Sequence, residues 1–301
     1  MDHSTTTFLS GYAPFHDMLF FAKSEDGRTS KQGVVCGFFG LDGEEWGQYS
    51  ESVDWPAISM ASIKPEEIGR IVVAVGPHGQ YWESVAEAEV ENVGQLLQGE
   101  KFQARRLRVV NETMFAVGMA RKALRREPDG TWASFGPSLP LPEGRATGFN
   151  DLVGTSLSEM YAVGWHGEIW NWDEKVWRQI DSPISTHLSA ACCMPDGTVL
   201  AVGYDGGMVR GRGDVWAPVD SGHTENLLDV CCFGGETYVC SAYKLMRLVA
   251  DGLEPVANFA DPEDVPATCL HLLKSHDNEA VYSMGPKDLF RLRGSVWERV
   301  V

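Results

Sequence analysis

The feature that most constrains this chain is a short pattern that recurs along it. An apolar strand ends in glycine, a tight turn follows, another strand runs back, and a tryptophan comes about thirteen residues later. The pattern is plainest in Met160-Tyr161-Ala162-Val163-Gly164-Trp165-His166-Gly167 and Val199-Leu200-Ala201-Val202-Gly203-Tyr204-Asp205-Gly206. Val72-Val73-Ala74-Val75-Gly76-Pro77-His78-Gly79 is a third copy, Met114 to Gly118 a fourth, and Val281 to Gly285 a fifth. Tyr238-Val239-Cys240-Ser241-Ala242 reads as a weaker copy with Ala242 at the glycine position. Successive anchors at 76, 118, 164, 203, 242 and 285 are separated by 42, 46, 39, 39 and 43 residues. Intervals of about 40–45 residues are those of a four-stranded propeller blade.

Trp132, Trp177, Trp216 and Trp297 follow their anchors at 14, 13, 13 and 12 residues. Counting back from Trp46 places an earlier, irregular repeat at the N-terminus, with a second strand from Asp17 to Ala22 and a long loop through Ser24 to Gly27. The reading is therefore an all-β chain, a single β-propeller domain over 1–301 with seven four-stranded blades. Six or eight blades also fit the intervals. The fifth full repeat divides into strands at Leu188–Met194, Thr198–Gly203, Gly207–Arg212 and Val215–Val219. One segment, 83 to 98, carries a weak helical period broken by acidic residues. Four-stranded sheets stacked around an axis bury their faces, and a tryptophan on each outer strand can cover the seam between neighbours. The chain ends on an outer strand, Val296 to Val301, so closure is expected to rest on packing rather than on an exchanged strand.

The A-V-G-x-x-G pattern, with its D-G turns and following tryptophan, resembles the WD40/YVTN/BNR-like propeller superfamily, in particular the Ycf48-like branch. The resemblance covers about residues 70 to 300. It implies the fold, and it carries no site residues across.

The chain has 301 residues and a net charge of −17. Such an acidic surface works against nonspecific binding to nucleic acid or to anionic membranes, and favours a basic partner. No run is apolar and long enough to span a bilayer as a helix. The N-terminal stretch has neither a basic n-region nor an apolar h-region, which gives the expectation of a cytoplasmic, monomeric protein. Seven cysteines include two adjacent pairs, Cys192-Cys193 and Cys231-Cys232. Neighbours on a strand face opposite ways, so neither pair can chelate one metal ion, and small buried strand residues are the plainer reading.

Motifs for catalysis are missing from the sequence. There is no G-x-S-x-G elbow, no H-E-x-x-H and no phosphate-binding glycine loop. Pro128-Asp129-Gly130-Thr131-Trp132 lacks the serine and spacing of a sialidase-type box and reads as a turn before an outer strand. No cofactor or metal is expected. His78 and His166 occupy equivalent turns two repeats apart, too far to share an ion.

Two features remain as binding surfaces. Taken one residue past each anchor, Trp165, Tyr204 and Tyr243 form an aromatic series, with Met119 one repeat earlier and His166 and Asp205 beside them. Aromatic side chains on a common face anchor protein interfaces, although packing between blades is the commoner use for them. Charge is also segregated. Residues 42–100 carry a net −10, including Glu44, Glu45, Glu87 and Glu89, whereas residues 101–126 carry a net +7. These segments either pair with one another or leave an acidic face that steers a basic partner. The pattern points to a non-enzymatic protein-binding scaffold that neutralises or chaperones a basic protein, such as a toxin or effector, in the manner of a bacterial immunity-type inhibitor. A carbohydrate-binding propeller, with Trp165 and Tyr204 stacking on sugars, is a rival. A hydrolase or lyase using the central channel is another, although the first strands offer it little beyond Asp229.

Overall fold

A computed structural model describes residues 5–30, 33–43, 45–65, 68–85, 90–250 and 252–301. They form seven sheets, each of four antiparallel strands in chain order. Sheet 1 spans 6–53, sheet 2 59–95, sheet 3 104–134, sheet 4 149–180, sheet 5 188–218, sheet 6 227–255 and sheet 7 271–299. Two compact units are distinguished: one holds Ile58–Asp220, and the other Met1–Ala57 with Ser221–Val301.

In the Ile58–Asp220 unit, sheets 2 to 5 pack in succession through apolar second strands such as Ile71–Val75, Met114–Val117 and Val199–Val202, all buried. The expected tryptophans lie on fourth strands and seal each sheet to the one before it. Trp177 packs with Phe115 and Phe149 and donates its indole N–H to the Phe135 carbonyl at 2.7 Å. Trp216 meets Tyr161 edge-on at 5.6 Å.

The anchor glycines are required by close approach rather than by their backbone angles, which are extended at Gly164 and Gly203. A Cβ at Gly164 would stand 1.9 Å from the Gly148 carbonyl oxygen, and one at Gly203 would stand 1.9 Å from that of His187. Each anchor thus lets the second strand press against the residue that opens the first strand.

First strands are locked to each other by side chains at one repeat position. Ser59, Arg106 and Asp151 each pair across their sheet with the residue just before the anchor. Ser59 Oγ accepts the Leu107 amide at 3.0 Å, Arg106 donates to Asp151 at 3.3 Å, and Asp151 accepts the Ala191 amide at 2.9 Å. Arg108 adds a bidentate pair to Asp151 with both bonds at 2.7 Å, and the Leu152 amide adds another at 2.8 Å. A carboxylate offers about four lone-pair sites, so this fully buried Asp151 is saturated.

The second unit holds sheets 1, 6 and 7. Phe8, Phe21 and Leu41 of sheet 1 pack with Tyr282, Met284 and Leu289 of sheet 7, and no strand is exchanged between them. Trp297 is fully buried against Tyr238 of sheet 6. Asp229 occupies the Asp151 position and likewise accepts the amide of its own successor, Val230 (3.0 Å), and of Leu272 in sheet 7 (3.2 Å).

Several expectations are corrected. The second strand of sheet 1 is thirteen residues long, Met18–Ser30, so the segment expected to be a loop continues the strand. Phe21, Ala22, Lys23 and Ser24 are all buried, and Lys23 Nζ lies 4.1 Å over the Phe39 ring, so the pairing continues into the polar stretch. The segment with a weak helical period is strand, Gln80–Val85 and Val90–Gln95, because Tyr81, Trp82 and Val93 alternate across a sheet. In sheet 6 the anchor is Ser241 rather than Ala242: Ser241 pairs with Leu227 as Gly164 pairs with Phe149. Its turn is one residue shorter, Ser241 N to Lys244 O against Gly164 N to Glu168 O. The cysteine pairs do share one repeat position, and none of the seven cysteines is in a disulfide.

Candidate functional site

Turns between second and third strands carry the aromatic series. In sheet 4 the turn is Trp165–Gly167 with His166 at φ 59°, and in sheet 5 it is Tyr204–Gly206 with Asp205 at φ 55°. Histidine and aspartate are among the residues that tolerate this left-handed conformation. The turns are pegged to the sheets' entry segments: Trp165 N donates to Gly148 O at 3.0 Å, and Tyr204 N to His187 O at 2.8 Å.

His187 joins the two turns. Its Nδ1 accepts the His166 backbone N–H at 2.8 Å. Its ring lies 4.7 Å from Trp165, 4.9 Å from His166 and 5.3 Å from Tyr204, centroid to centroid. Because Nδ1 is an acceptor here, the ring is the neutral tautomer with its proton on Nε2. Burial lowers the His187 pKa below the ordinary histidine value, nearby His166 and Arg145 lower it further, and Asp205 opposes them. Trp165 and His166 are half-buried, Asp205 is exposed, and Tyr204 is 42% exposed. Met119 borders the cluster by bridging to Gly148, the residue that holds the Trp165 amide. The result is a semi-rigid apolar patch with polar edges, suited to anchoring a partner side chain.

Beneath the sheet 4 turn lies a buried ion pair. Arg121 grips Glu168 with two bonds of 2.8 and 2.6 Å, Trp170 Nε1 donates to the same carboxylate at 3.2 Å, and the guanidinium lies 5.0 Å from the Trp170 ring. Burial disfavours the Glu168 charge, but hydrogen bonds led by Arg121 outweigh it and hold the carboxyl below the usual glutamate range. Glu168 N closes the Trp165 turn at 3.1 Å, so this pair fixes the platform from below.

Five of the ten residues named from the sequence are thus brought together: Met119, Trp165, His166, Tyr204 and Asp205. Tyr243 is 73% exposed but stands two residues past its true anchor, matching His166 rather than Trp165. Glu45 is exposed at the turn between the third and fourth strands, the end of its sheet away from the second-to-third-strand turn. Glu44, Glu87 and Glu89 lie outside the described residues.

The basic segment turns out to be largely paired, only in part with the acidic one. The basic segment reaches back to sheet 2, with Arg126 on buried Glu83 at 2.9 Å and Lys122 on Glu100 at 2.9 Å, and forward to Asp151 and Glu168. His187 was missed because it precedes a strand and its repeat equivalents, Gly148 and Gln103, are not histidines. At the opposite end of sheets 2 to 4, a cleft of about 910 Å³ is lined by Met114, Phe115, Phe135, Met160, Trp172 and Arg125.

No protein-family model matches the chain. Along its length it is similar to Immune protein Tsi7 of Pseudomonas aeruginosa, with 29% identity over 307 residues covering 97% of this chain and 96% of that protein. Among solved structures it is similar to YCF48 bound to D1 peptide, at TM-score 0.68, 14% identity and coverage of 97% and 94%. The WD40 β-propeller domain of Doa1 matches at TM-score 0.68, 10% identity and coverage of 97% and 93%. The fold is accordingly a WD40/Ycf48-like β-propeller of seven four-stranded blades.

Proposed function

We propose that this chain is a non-catalytic immunity protein, a cytoplasmic propeller that binds a basic protein toxin and neutralises it. The observation that carries the reading is full-length similarity to Immune protein Tsi7, on a fold that matches protein-binding relatives. The internal chemistry agrees with it. Asp151 and Asp229 are the carboxylates a channel enzyme would use, and their oxygens are committed to backbone amides and, at Asp151, to two arginines. A carboxylate so engaged is poorly placed to serve as a general base. Trp165, His187 and Tyr204 form the contact surface, with Asp205 at its edge to meet a basic side chain. The remaining acidic surface speeds encounter with a cationic partner.

The test is to capture the partner on the tagged chain from the cells that encode it, then co-express the two. The retained protein should arrest growth alone and be harmless beside this chain. A retained protein that is harmless alone, or that arrests growth regardless, contradicts the reading.

A further inference from the structure

In the unit that holds sheets 1 and 7, two hairpin turns bring three metal-ligating side chains to one point. His16 lies in the two-residue turn between Thr6–Phe15 and Met18–Ser30. Asp277 and Glu279 lie in the turn between His271–Lys274 and Ala280–Met284. His16 Nδ1 is 2.9 Å from Asp277 Oδ2 and 3.2 Å from Glu279 Oε2, and all three donor atoms lie within 4.8 Å of one another. We propose that His16, Asp277 and Glu279 form a divalent metal site of the Zn²⁺ class, which staples the first blade to the last.

The cluster is held as a built site is held. The His16 backbone N–H donates to Asp277 Oδ2 at 2.9 Å, and its carbonyl accepts the Tyr282 hydroxyl at 2.7 Å. Asp277 Oδ1 accepts the Glu279 amide at 3.1 Å, and the adjacent His276 amide bonds Ala13 O at 3.1 Å. Neither the imidazole nor Asp277 can therefore drift away from the other. On the far side of the ring, Asp17 Oδ2 lies 3.9 Å from Nε2. At that distance the carboxylate is not hydrogen-bonded to the ring, and a closure of about 1 Å would let it accept the second N–H and orient a metal-bound histidine.

Tetrahedral ligands at about 2.0–2.1 Å stand roughly 3.3 Å apart, so the two His16 spacings need open only by tenths of an ångström, while the Asp277–Glu279 oxygens, within 4.8 Å, adjust to match. One nitrogen with two carboxylate oxygens favours Zn²⁺, Co²⁺ or Mn²⁺ over Mg²⁺ and Ca²⁺, which prefer oxygen alone. Water completes the shell. On binding, the Nδ1 lone pair of the neutral imidazole takes the metal, and the ring keeps its proton on Nε2. No strand is exchanged between these blades, so a metal clip would add a tie between hairpins 261 residues apart in the chain.

The experiment uses the full chain stripped by chelator and titrated with Zn²⁺ and with Co²⁺. The expected result is a Tm rise of roughly 5 °C at a hundredfold excess of Zn²⁺ over its dissociation constant. Co²⁺ should give visible d–d absorption without thiolate charge transfer. His16→Ala should abolish both signals. Glu279→Gln, at a side chain 65% exposed, should leave the metal-free Tm in place and weaken binding by about tenfold. No Co²⁺ band, a band that survives His16→Ala, or stabilisation by Ca²⁺ alone overturns the proposal and leaves the cluster an ion pair.

Discussion

Two polar regions of the Ile58–Asp220 unit use charged and aromatic side chains in opposite ways. In the first-strand layer, charge is locked by charge: Asp151 is fully buried under Arg106, Arg108 and two backbone amides. In the turn layer, Trp165, His187 and Tyr204 are packed enough to be held and open enough to be touched. The comparison teaches where to look for function in a repeat fold. A buried carboxylate in a channel looks catalytic until its lone pairs are counted, and here they belong to the architecture. Binding capacity remains in the turns, where apolar area is exposed on a backbone fixed by the anchor glycines and by the Arg121–Glu168 pair.

The largest expected effect breaks the first region. Asp151→Ala strands two arginines and the Ala191 amide, and should cost about 3–5 kcal/mol in a denaturant melt. Asp229→Asn keeps an oxygen acceptor on the equivalent lock and should cost less, about 1–3 kcal/mol. Equal losses at the two sites would show that the arginines add nothing to the Asp151 lock. Next in size, Gly203→Ala forces a methyl toward the His187 carbonyl. It should lower both Tm and partner affinity, whereas a purely structural anchor would move Tm alone.

The second region should behave differently. Tyr204→Ala should change stability by no more than about 0.5 kcal/mol, as surface changes do. The double variant Trp165→Ala/Tyr204→Ala should weaken partner binding by more than tenfold, the loss of about 1.4 kcal/mol or more typical of interface anchors. The smallest effect concerns pH. The folded His187 pKa lies below its unfolded value, so folding excludes a proton. Its contribution is intact above about pH 6.5 and falls away as the pH drops through the folded value. Protonated Nδ1 can no longer accept the His166 N–H, so affinity should fall over the same range, and His187→Gln should flatten that dependence.

The repeat was legible because its physics is local. An apolar run of period two, a glycine where two backbones meet, and a tryptophan on the outer strand each leave a mark in the sequence. Sheet 1 was harder, since Ser24 to Ser30 has the composition of a loop, and its pairing with Gly33–Asp42 crosses a register shift between Ser24 and Thr29. In sheet 6, Ser241 hid the anchor, and a turn one residue shorter moved Tyr243 out of the aromatic series. Trp165 and Tyr204 could be named from spacing alone. His187 could not, because its position is defined by the turn packed over it. Nor did the sequence reveal that the basic segment at 101–126 is consumed by Glu83, Glu100, Asp151 and Glu168, since ion-pair partners 22 to 47 residues apart leave no local pattern.

The most direct test of the central claim is growth protection against the captured toxin by two matched variants. One is Trp165→Ala/Tyr204→Ala, and the other is Asp229→Asn at a temperature where it remains folded. The account predicts that the turn variant folds normally and fails to protect, while the Asp229→Asn protein protects as the parent does. Protection by the turn variant, or its loss on changing Asp229 alone in a folded protein, would contradict it.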